Sequence, residues 1–389
     1  MIPRQAVTLA QEWGSIFRVL VIAGLRQSGK TTLARMAFPR HAYCSLEDPD
    51  RRLSASDDPR GFLAQVGTGD GVIIDEIQRC PDLVSYLQAV VDADQRPGRW
   101  VLTGSAHFHL IEAVTQSLAG RAGLFELMTC SYDELLQADL APQSVDVALL
   151  RGGFPEPAFK ALPIDPWCRA YLASVLERDL RQVIQVRDLD AFQRFVGLCA
   201  GRVGQLINRA SLGADAGVSA ETVDRWLSAL QAAHLIFLLR PHHANFGKRL
   251  IKAPKLYFTD VALATHLLGI KNEAQLGLHP LRGNLFENLV IAELRRQWCH
   301  AGERPPLFFW RDSRGTEIDL IIERPTGLSA IEIKAGQTIA KDWFKTLHTW
   351  RSWAGTQAEH LAIVYGGDQP QPGISGVGVL PWHHVATLA

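Results

Sequence analysis

The sequence has no excess of charge, no closely spaced cysteines and no long apolar run. Its 40 basic and 40 acidic residues cancel, so binding to nucleic acid or to an acidic membrane requires a local patch. The six cysteines form no CxxC pair, which argues against a zinc ribbon, and a disulfide framework is not expected in a chain this long. No apolar stretch approaches the ~20 residues that span a bilayer, so no membrane partner is predicted. Residues 1–12 lack the pattern of a secretion signal, and we expect a cytoplasmic protein.

Continuous apolar runs occupy the first third of the 389 residues and alternate with helical patterns. They lie at residues 19–23, 43–46, 72–74, 100–102 and 124–128. Strands that are buried on both faces of a parallel sheet have this pattern, so the predicted fold class is α/β with a parallel sheet. Glycines and prolines at 152–155 and 163–166 predict a boundary. The predicted domains are 1–155, a helical 156–275 and 276–389.

A phosphate-binding loop follows the first apolar run. Residues 24–31 read G-L-R-Q-S-G-K-T, which fits G-x-x-x-x-G-K-[ST] at every fixed position, and a helix opens at Thr31. The glycines let backbone amides point at phosphate oxygens, and the helix N-terminus adds its dipole. Lys30 would reach the β- and γ-phosphates, and the Thr31 hydroxyl would ligate magnesium. The predicted binders of ATP and Mg²⁺ in this loop are Gly24, Gln27, Ser28, Gly29, Lys30, Thr31 and Thr32.

An acidic strand end supplies the second half of this site. Residues 72–76 read V-I-I-D-E, three apolar residues followed by two carboxylates. Asp75 is predicted to hold the magnesium, and Glu76 to orient or deprotonate the attacking water. This division of roles favours a hydrolase over a kinase.

Two further positions in the first domain carry less specific signals. Residues 100–105 form a strand that ends in hydroxyls, and either Thr103 or Ser105 could contact the γ-phosphate. We assign Ser105 to nucleotide binding. Arg121 precedes the next strand and is either an arginine finger, supplied to a neighbouring subunit of a homo-oligomer, or an ordinary surface arginine.

The middle of the chain resembles a helix-turn-helix. Its second helix has one apolar stripe, Gly217 ends the helix before it, and Ser219 can cap it. The runs 235–239 and 255–258 would supply the strands of a wing. The stripe consists of Val223, Trp226, Leu227 and Leu230.

The segment of the expected wing is basic, whereas the helix before it is acidic. The cations of the segment are Lys248, Arg249, Lys252 and Lys255. They could contact DNA phosphates. The helix exposes Glu221 and Asp224 with Arg225 as its only cation, which suits a DNA groove poorly, so DNA binding and protein packing both stay open. His242 and His243 are adjacent and would point to opposite faces of a strand, so no metal site is predicted there.

The last domain reads as an αβββαβ arrangement. The helices are predicted at 284–298 and 343–353, and the strands at 307–310, 317–323, 329–334 and 361–365.

The sequence resembles a known family, the bacterial and archaeal AAA-type P-loop ATPases that carry the C-terminal domain of unknown function 4143. The segments that carry the resemblance are 24–32, 73–78, 102–106, 118–123, 171–179, 245–260, 283–293 and 309–319. The D-E-I-Q run at 75–78 and the L-T-G-S run at 102–105 are more specific to this group than the phosphate loop. The resemblance implies a winged-helix middle and a C-terminal domain with a restriction-endonuclease-like fold.

Four residues of the C-terminal domain fit the spacing seen in such nucleases. Glu332 and Lys334 share one strand face, and a hairpin would bring Asp319 beside Glu332, while Glu287 lies on the preceding helix. We predict that Asp319, Glu332 and Glu287 hold one or two magnesium ions, and that Lys334 positions a metal-bound water. The alternatives are a hairpin with surface ion pairs and a nuclease fold that has lost catalysis and only binds a partner.

The sequence therefore predicts a magnesium-dependent ATPase that couples hydrolysis to conformational change. The favoured output is a DNA transaction that includes cleavage by the C-terminal domain. The alternative is a regulatory switch that senses ATP and binds a protein partner without DNA chemistry.

Overall fold

The computed structural model describes residues 2–105, 108–176, 189–244, 246–247 and 250–389. Its contacts define two compact units. The first comprises Met1–Cys130, Ala232–His234 and Trp298–Glu303, and the second comprises Ser131–Gln231, Leu235–Gln297 and Arg304–Ala389. The division into three domains stays a prediction.

The first unit contains alternating strands and helices. The strands are β1 (Val19–Gly24), β2 (Ala42–Ser45), β3 (Val72–Asp75), β4 (Trp100–Thr103) and β5 (Ala122–Leu127). The helices are α1 (Ala6–Ile16), α2 (Lys30–Ala37), α3 (Pro49–Asp57), α4 (Pro59–Val66), α5 (Leu83–Ala93) and α6 (Phe108–Ser117), with a 3₁₀ turn at Ile77–Arg79. Each predicted apolar run therefore forms a strand.

These strands form one parallel sheet in the order β2-β3-β4-β1-β5. Every residue of β1, β3 and β4 is buried, which explains their continuous apolar sequences. Because the strands are parallel, their carboxyl ends meet at one edge of the sheet. The phosphate loop after β1, Asp75 at the end of β3 and Thr103 at the end of β4 therefore lie side by side.

The helices that follow residue 130 include the helical middle of the chain. They are α7 (Tyr132–Gln137), α8 (Val145–Arg151), α9 (Pro155–Lys160), α10 (Ile164–Ser174), α11 (Leu189–Ala200), α12 (Arg209–Ala216), α13 (Ala220–Ala232), α14 (Val261–Leu267), α15 (Glu273–Leu278), α16 (Arg282–His300) and α17 (Trp343–Ala354). Within the described ranges, no helix is both long enough and apolar enough to cross a bilayer.

The helix-turn-helix pattern corresponds to α12 and α13. Gly217, in the left-handed region with φ 72°, ends α12. The Ser219 hydroxyl accepts a hydrogen bond from the Thr222 amide at 3.2 Å. The predicted stripe of α13 is buried, and Trp226 packs edge-on against Phe192 of α11, with ring centroids 5.1 Å apart. The strands β6 (Ile236–Leu239) and β7 (Lys255–Phe258) then form an antiparallel pair.

The C-terminal sheet has the order β12-β13-β11-β10-β9-β8. Its strands are β8 (Leu307–Arg311), β9 (Glu317–Arg324), β10 (Gly327–Lys334), β11 (Ala358–Tyr365), β12 (Gln371–Ile374) and β13 (Val377–Pro381). The predicted αβββαβ order is confirmed from α16 to β11. The structure adds β12 and β13, which we did not predict. β12 is exposed along its whole length and has no apolar pattern, whereas β13 is a five-residue strand with alternate residues buried. Two 3₁₀ segments occupy Gly355–Gln357 and Trp382–Leu388.

Candidate functional site

Glycines shape the phosphate loop between β1 and α2. Gly24 has φ 140°, and a Cβ there would lie 2.2 Å from the Leu127 carbonyl oxygen, so a larger residue would push β1 and β5 apart. Gly29 has φ 90° and caps the N-terminus of α2. Gln27 also has a positive φ, 57°. The loop therefore curls as a phosphate cradle requires.

Polar groups of the loop suit a polyphosphate. The Lys30 ammonium donates to the Leu25 carbonyl at 2.8 Å and to the Gly24 carbonyl at 3.3 Å, which holds it over the loop. Ser28 is fully buried, and its hydroxyl has no hydrogen-bond partner among the described residues. A buried hydroxyl without a partner is costly, and a phosphate oxygen would satisfy it. The residues present therefore fit ATP.

Asp75 is the centre of a hydroxyl network at the carboxyl edge of the sheet. Its carboxylate accepts from the Thr31 hydroxyl at 2.9 Å, from the Tyr43 hydroxyl at 2.8 Å and from the Thr103 hydroxyl. Burial, together with the Asp75 carboxylate, raises the pKa of Tyr43 to about 12, so its hydroxyl stays a donor. Thr31 and Asp75, the predicted magnesium ligands, are in direct contact.

Glu76 and Ser105 belong to a second, adjacent network. Glu76 has a positive φ of 58° and directly follows β3. Its carboxylate accepts from the Gln78 amide, which also lies 3.0 Å from the Ser105 hydroxyl. Thr103 and Ser105 thus have different partners, Asp75 and Gln78. Our sequence reasoning gave no role to Gln78, although the D-E-I-Q run contains it, or to Tyr43, whose position on β2 carries no local signal.

Arg121 lies at the opposite edge of the sheet from the phosphate loop. Its carbonyl accepts from the Val19 amide at the start of β1, five residue steps or roughly 16 Å from Gly24. Its guanidinium binds Asp92 of α5 through two hydrogen bonds, of 2.6 and 2.9 Å. Arg121 cannot reach the cradle of its own chain, so its role as a finger in a neighbouring subunit stays a prediction.

Carboxylates gather on the C-terminal sheet in what we term the carboxylate cluster: Glu287, Glu317, Asp319 and Glu332. Glu287 projects from α16, Glu317 and Asp319 from β9, and Glu332 from β10. One oxygen each of Glu287, Glu317 and Asp319 lies within 4.8 Å of the others. Glu317 was missed by sequence reasoning, although its spacing from Asp319 on one strand predicts a shared face.

Asp319, Glu332 and Lys334 meet as the hairpin predicts. The Lys334 ammonium lies 3.3 Å from Asp319 Oδ2 and also contacts Glu332. The Ile333 amide donates to the same Asp319 oxygen at 2.8 Å. Glu332 is 4% exposed, and its Oε1 has no hydrogen-bond partner among the described residues.

Lys255 belongs to this cluster, which corrects its predicted role as a cation that contacts DNA phosphates. It is 3% exposed, contacts Glu317, and donates to Glu287 at 2.8 Å. The Tyr257 hydroxyl donates to the same oxygen of Glu287. An ammonium held between two carboxylates is not available to a DNA phosphate. Of the other predicted cations, Lys252 is exposed, and Lys248 and Arg249 lie outside the described residues.

Burial perturbs the ionisation of this cluster. Burial raises the pKa of Glu287 to about 7 against the opposing effect of Lys255. Burial, with the charge of Asp319, raises the pKa of Glu332 to about 8 against Lys334. Burial lowers the pKa of Lys255, but Glu287 and Glu317 more than compensate and raise it above its ordinary value. The carboxylates therefore require additional positive charge to ionise fully near pH 7.

The cluster fits a divalent cation. Oxygen ligands lie ~2.0–2.6 Å from Mg²⁺ or Ca²⁺, so two ligands of one ion are separated by no more than roughly 5 Å. The spacing of Glu287, Glu317 and Asp319 meets this condition. Glu332, which we also predicted as a ligand, is not one of the three residues that meet this condition among the described residues, so its role as a further ligand stays a prediction. Because Lys255 binds two of these carboxylates, an ion and its ammonium compete for them.

The prediction that His242 and His243 point apart is wrong. The two residues lie in the loop after β6 rather than in a strand, and their rings stack with centroids 4.8 Å apart. The Ala244 amide donates to His242 Nδ1 at 3.3 Å.

Comparisons with known proteins cover nearly the whole chain. Residues 17–136 match a family described as an AAA domain, residues 142–274 match a domain of unknown function, DUF8612, and residues 282–385 match another, DUF4143. The uncharacterized protein Rv2008c of Mycobacterium tuberculosis is 33% identical over 377 residues, which span 95% of this chain and 81% of that protein. The uncharacterized protein Mb2031c of Mycobacterium bovis gives the same values.

Two solved structures match part of the chain. The Walker-type ATPase PABY2304 of Pyrococcus abyssi is 16% identical, and the match covers 69% of this chain and 96% of that one with a TM-score of 0.42. The RuvB Holliday junction branch migration motor of Thermotoga maritima is 20% identical, with coverage of 60% and 86% and a TM-score of 0.32.

Proposed function

Because the chain belongs to the family of AAA-type P-loop ATPases that carry the domain of unknown function 4143, we propose that it couples magnesium-dependent ATP hydrolysis to cleavage of DNA. The observation that supports the DNA step is the shared contact of Lys334 with Asp319 and Glu332. Such a lysine beside two carboxylates suits phosphodiester hydrolysis, in which charge develops on phosphate oxygens.

In the ATPase site, each residue has a separate role. Lys30 binds the β- and γ-phosphates, and Thr31 and Asp75 hold magnesium. Magnesium, when bound, neutralises the charge that develops on the transferred phosphoryl group. Glu76 orients the attacking water and accepts its proton. Ser105 contacts the γ-phosphate, since Thr103 is already bound to Asp75.

The link from Ser105 to Glu76 gives the site a way to respond to the γ-phosphate. Gln78 contacts both side chains, so a change at Ser105 alters the position of Glu76. Loss of the γ-phosphate on hydrolysis would release Ser105 and, through Gln78, the glutamate. This is the local conformational change that we propose is transmitted to the rest of the chain.

In the C-terminal domain, Asp319, Glu332 and Glu287 would hold a divalent ion, and Glu317 is added to this set on its distance. The ion, when bound, lowers the pKa of a water molecule. Lys334 steadies the charge on the phosphate or positions that water. The raised pKa values of Glu287 and Glu332 fit a site that gains a cation, because the cation would favour their ionised forms.

A switch without DNA chemistry is the second candidate function. The exposed face of α13 carries Glu221 and Asp224, so this helix does not suit the major groove of DNA. Lys255 and Lys334 already partly neutralise the carboxylate cluster, as they would in a domain that has kept its charges for stability alone.

One experiment separates the two functions. The purified full-length protein is incubated with single- and double-stranded DNA, with and without ATP and with Mg²⁺ or Mn²⁺. We expect cleavage that disappears in Asp319→Ala and Lys334→Ala, while both variants keep their ATPase activity. Lys345→Ala, which alters an exposed lysine of α17, is the matched control and should cleave normally.

Metal binding supplies an independent readout. Calorimetry of the Lys30→Ala protein, whose cradle is disabled, should still detect a divalent ion at the carboxylate cluster. If that protein binds no divalent ion, the nuclease proposal fails and the switch takes its place.

A further inference from the structure

A cavity of about 860 Å³ lies between the helix-turn-helix and the strands that follow it. We term it the basic pocket, and its positively charged or histidine side chains are Arg209, Arg240, His242, His243 and Lys252. None of the described residues that line it is acidic. Its volume lies within the ~300–1,000 Å³ range of ligand sites. Such a lining favours an anion.

The cations of the basic pocket differ in their existing partners. Arg209 is exposed and forms an ion pair with Asp224 of α13. Arg240 and Lys252 are also exposed, and neither side chain has an ion pair with another described residue. In the described part of the chain, an anion would therefore meet no competing carboxylate at Arg240 or Lys252, whereas it would have to compete with Asp224 for Arg209.

His242 adds a buried hydrogen-bond donor. The residue is 3% exposed, and because its Nδ1 accepts from the Ala244 amide, Nε2 carries the proton of the neutral ring. This Nε2 has no hydrogen-bond partner within 3.5 Å among the described residues, and the Glu323 carboxylate lies 3.8 Å away. The Glu323 carboxylate lies within ion-pair distance of this N–H, so a phosphate oxygen would have to replace it as the acceptor.

Backbone hydrogen bonds hold the pocket wall to the C-terminal sheet. The His242 amide donates to the Phe309 carbonyl at 2.7 Å, and the Phe309 amide donates to the Arg240 carbonyl at 3.1 Å. The Ile251 amide donates to the Arg311 carbonyl at 3.1 Å. The wall thus pairs alongside edge strand β8, so the backbone at Arg240 and Lys252 is fixed relative to the sheet.

The same segment leads into the carboxylate cluster. Lys252 lines the pocket and Lys255 binds Glu287 and Glu317, and three residue steps span at most ~11 Å. Arg311 of β8 also binds Glu317, at 2.8 Å. A polymer of phosphates that occupied the pocket would therefore lie close to the cluster.

We propose that the basic pocket binds the phosphate backbone of a single nucleic-acid strand and directs it to the carboxylate cluster. A single strand is favoured over a duplex because the pocket is concave and the exposed face of α13 is acidic. This inference rests on the proposed DNA chemistry, but binding can be measured without cleavage or ATP.

The test is the binding of a fluorescein-labelled 15-nucleotide deoxythymidine strand to the full-length protein, in EDTA and without ATP, measured by anisotropy over a range of salt concentrations. The Arg240→Ala, Lys252→Ala double variant should weaken binding about tenfold for each charge-assisted hydrogen bond that it removes. Its slope of log affinity against log salt should be flatter by about 1.4, that is, ~0.7 for each single-strand phosphate contact. Both side chains are exposed, so the variant should fold normally.

A charge-matched control uses Arg225→Ala and Lys271→Ala, which remove two exposed cations outside the pocket. This control should bind the strand as the wild type does. Equal binding by the pocket variant and the wild type would refute strand binding by the basic pocket, but it would not affect the proposal of DNA cleavage. Preference for duplex DNA, or equal competition by polyglutamate, would also overturn strand binding by the pocket. Cleavage lost in Asp319→Ala with strand binding kept would support it, whereas a wild type that binds no nucleic acid would overturn both proposals.

Discussion

Replacing Lys255 by methionine removes the buried cation of the carboxylate cluster and keeps most of its volume. Glu287 and Glu317, whose side chains are 11% and 20% exposed, then lose their shared ammonium. Glu317 keeps the Arg311 guanidinium at 2.8 Å, so the uncompensated charge is that of Glu287. Loss of one partner of a buried ion pair costs ~3–5 kcal/mol, because the remaining charge is left without compensation. We therefore expect the free energy of unfolding of Lys255→Met to fall by about that amount at pH 8.

The cost should depend on pH. Burial raises the pKa of Glu287 to about 7, above its value in the unfolded chain, and Lys255 opposes this rise. Protonated Glu287 needs no cation, so its contribution to stability is present at low pH and is lost as pH rises through about 7. The variant should therefore lose less stability at pH 6 than at pH 8.

Divalent metal should restore the variant. In the variant, Mn²⁺ no longer has to compete with the Lys255 ammonium for Glu287 and Glu317. An ion at 100 times its dissociation constant stabilises a protein by ~2.7 kcal/mol. Urea unfolding followed by tryptophan fluorescence, in EDTA and in Mn²⁺, measures both effects. The buried Trp310 and Trp350 report on this domain.

The matched control is Lys252→Met, the same change at an exposed lysine three residues earlier. Its stability should stay within ~0.5 kcal/mol of the wild type, as for most surface substitutions. A buried, metal-competing role for Lys255 is contradicted if Lys255→Met is as stable as Lys252→Met in EDTA, or if Mn²⁺ stabilises Lys255→Met no more than the wild type.

Three further outcomes are expected. If Arg121 acts in a neighbouring subunit, mixing Arg121→Ala with Lys30→Ala protein should raise ATPase activity by up to ~10³–10⁵ over Arg121→Ala alone. An oligomer that exchanges subunits without such rescue would count against this role. Ser105→Ala should lower kcat for ATP while leaving nucleotide affinity within a few-fold, and an unchanged kcat by phosphate release would remove its γ-phosphate role. Because burial raises the pKa of Cys199 to about 12, iodoacetamide at pH 8 should modify it only after unfolding, and peptide mass mapping that finds the folded thiol modified would contradict this.

The nucleotide site could be predicted from the sequence because its signals are local. The glycines, Lys30 and Thr31 lie within one strand, loop and helix, and a parallel sheet brings Asp75 to the same edge. Tyr43 escaped prediction because it reaches Asp75 across the sheet, from a strand 32 residues away in the chain.

The carboxylate cluster was predicted only in part, for the same reason. The proximity of the Glu-x-Lys pair to Asp319 could be predicted because side chains alternate every two residues along each strand, and β9 and β10 pair as a hairpin. Lys255 comes from β7, 32 residues before its partner Glu287, and its basic sequence neighbours suggested a cation that contacts DNA phosphates instead. Only the packing of β7 beside α16 shows that its charge is buried.

The most direct test of the account is the effect of Glu76→Gln on ATP binding and hydrolysis. The substitution keeps the shape of the side chain and leaves the phosphate loop and Asp75 unchanged, but removes the carboxylate that accepts a proton from water. We expect Glu76→Gln to bind a fluorescent ATP analogue as tightly as the wild type does and to release no phosphate in steady state, whereas Lys30→Ala should lose productive binding. A Glu76→Gln protein with wild-type steady-state phosphate release would contradict the assignment of this site.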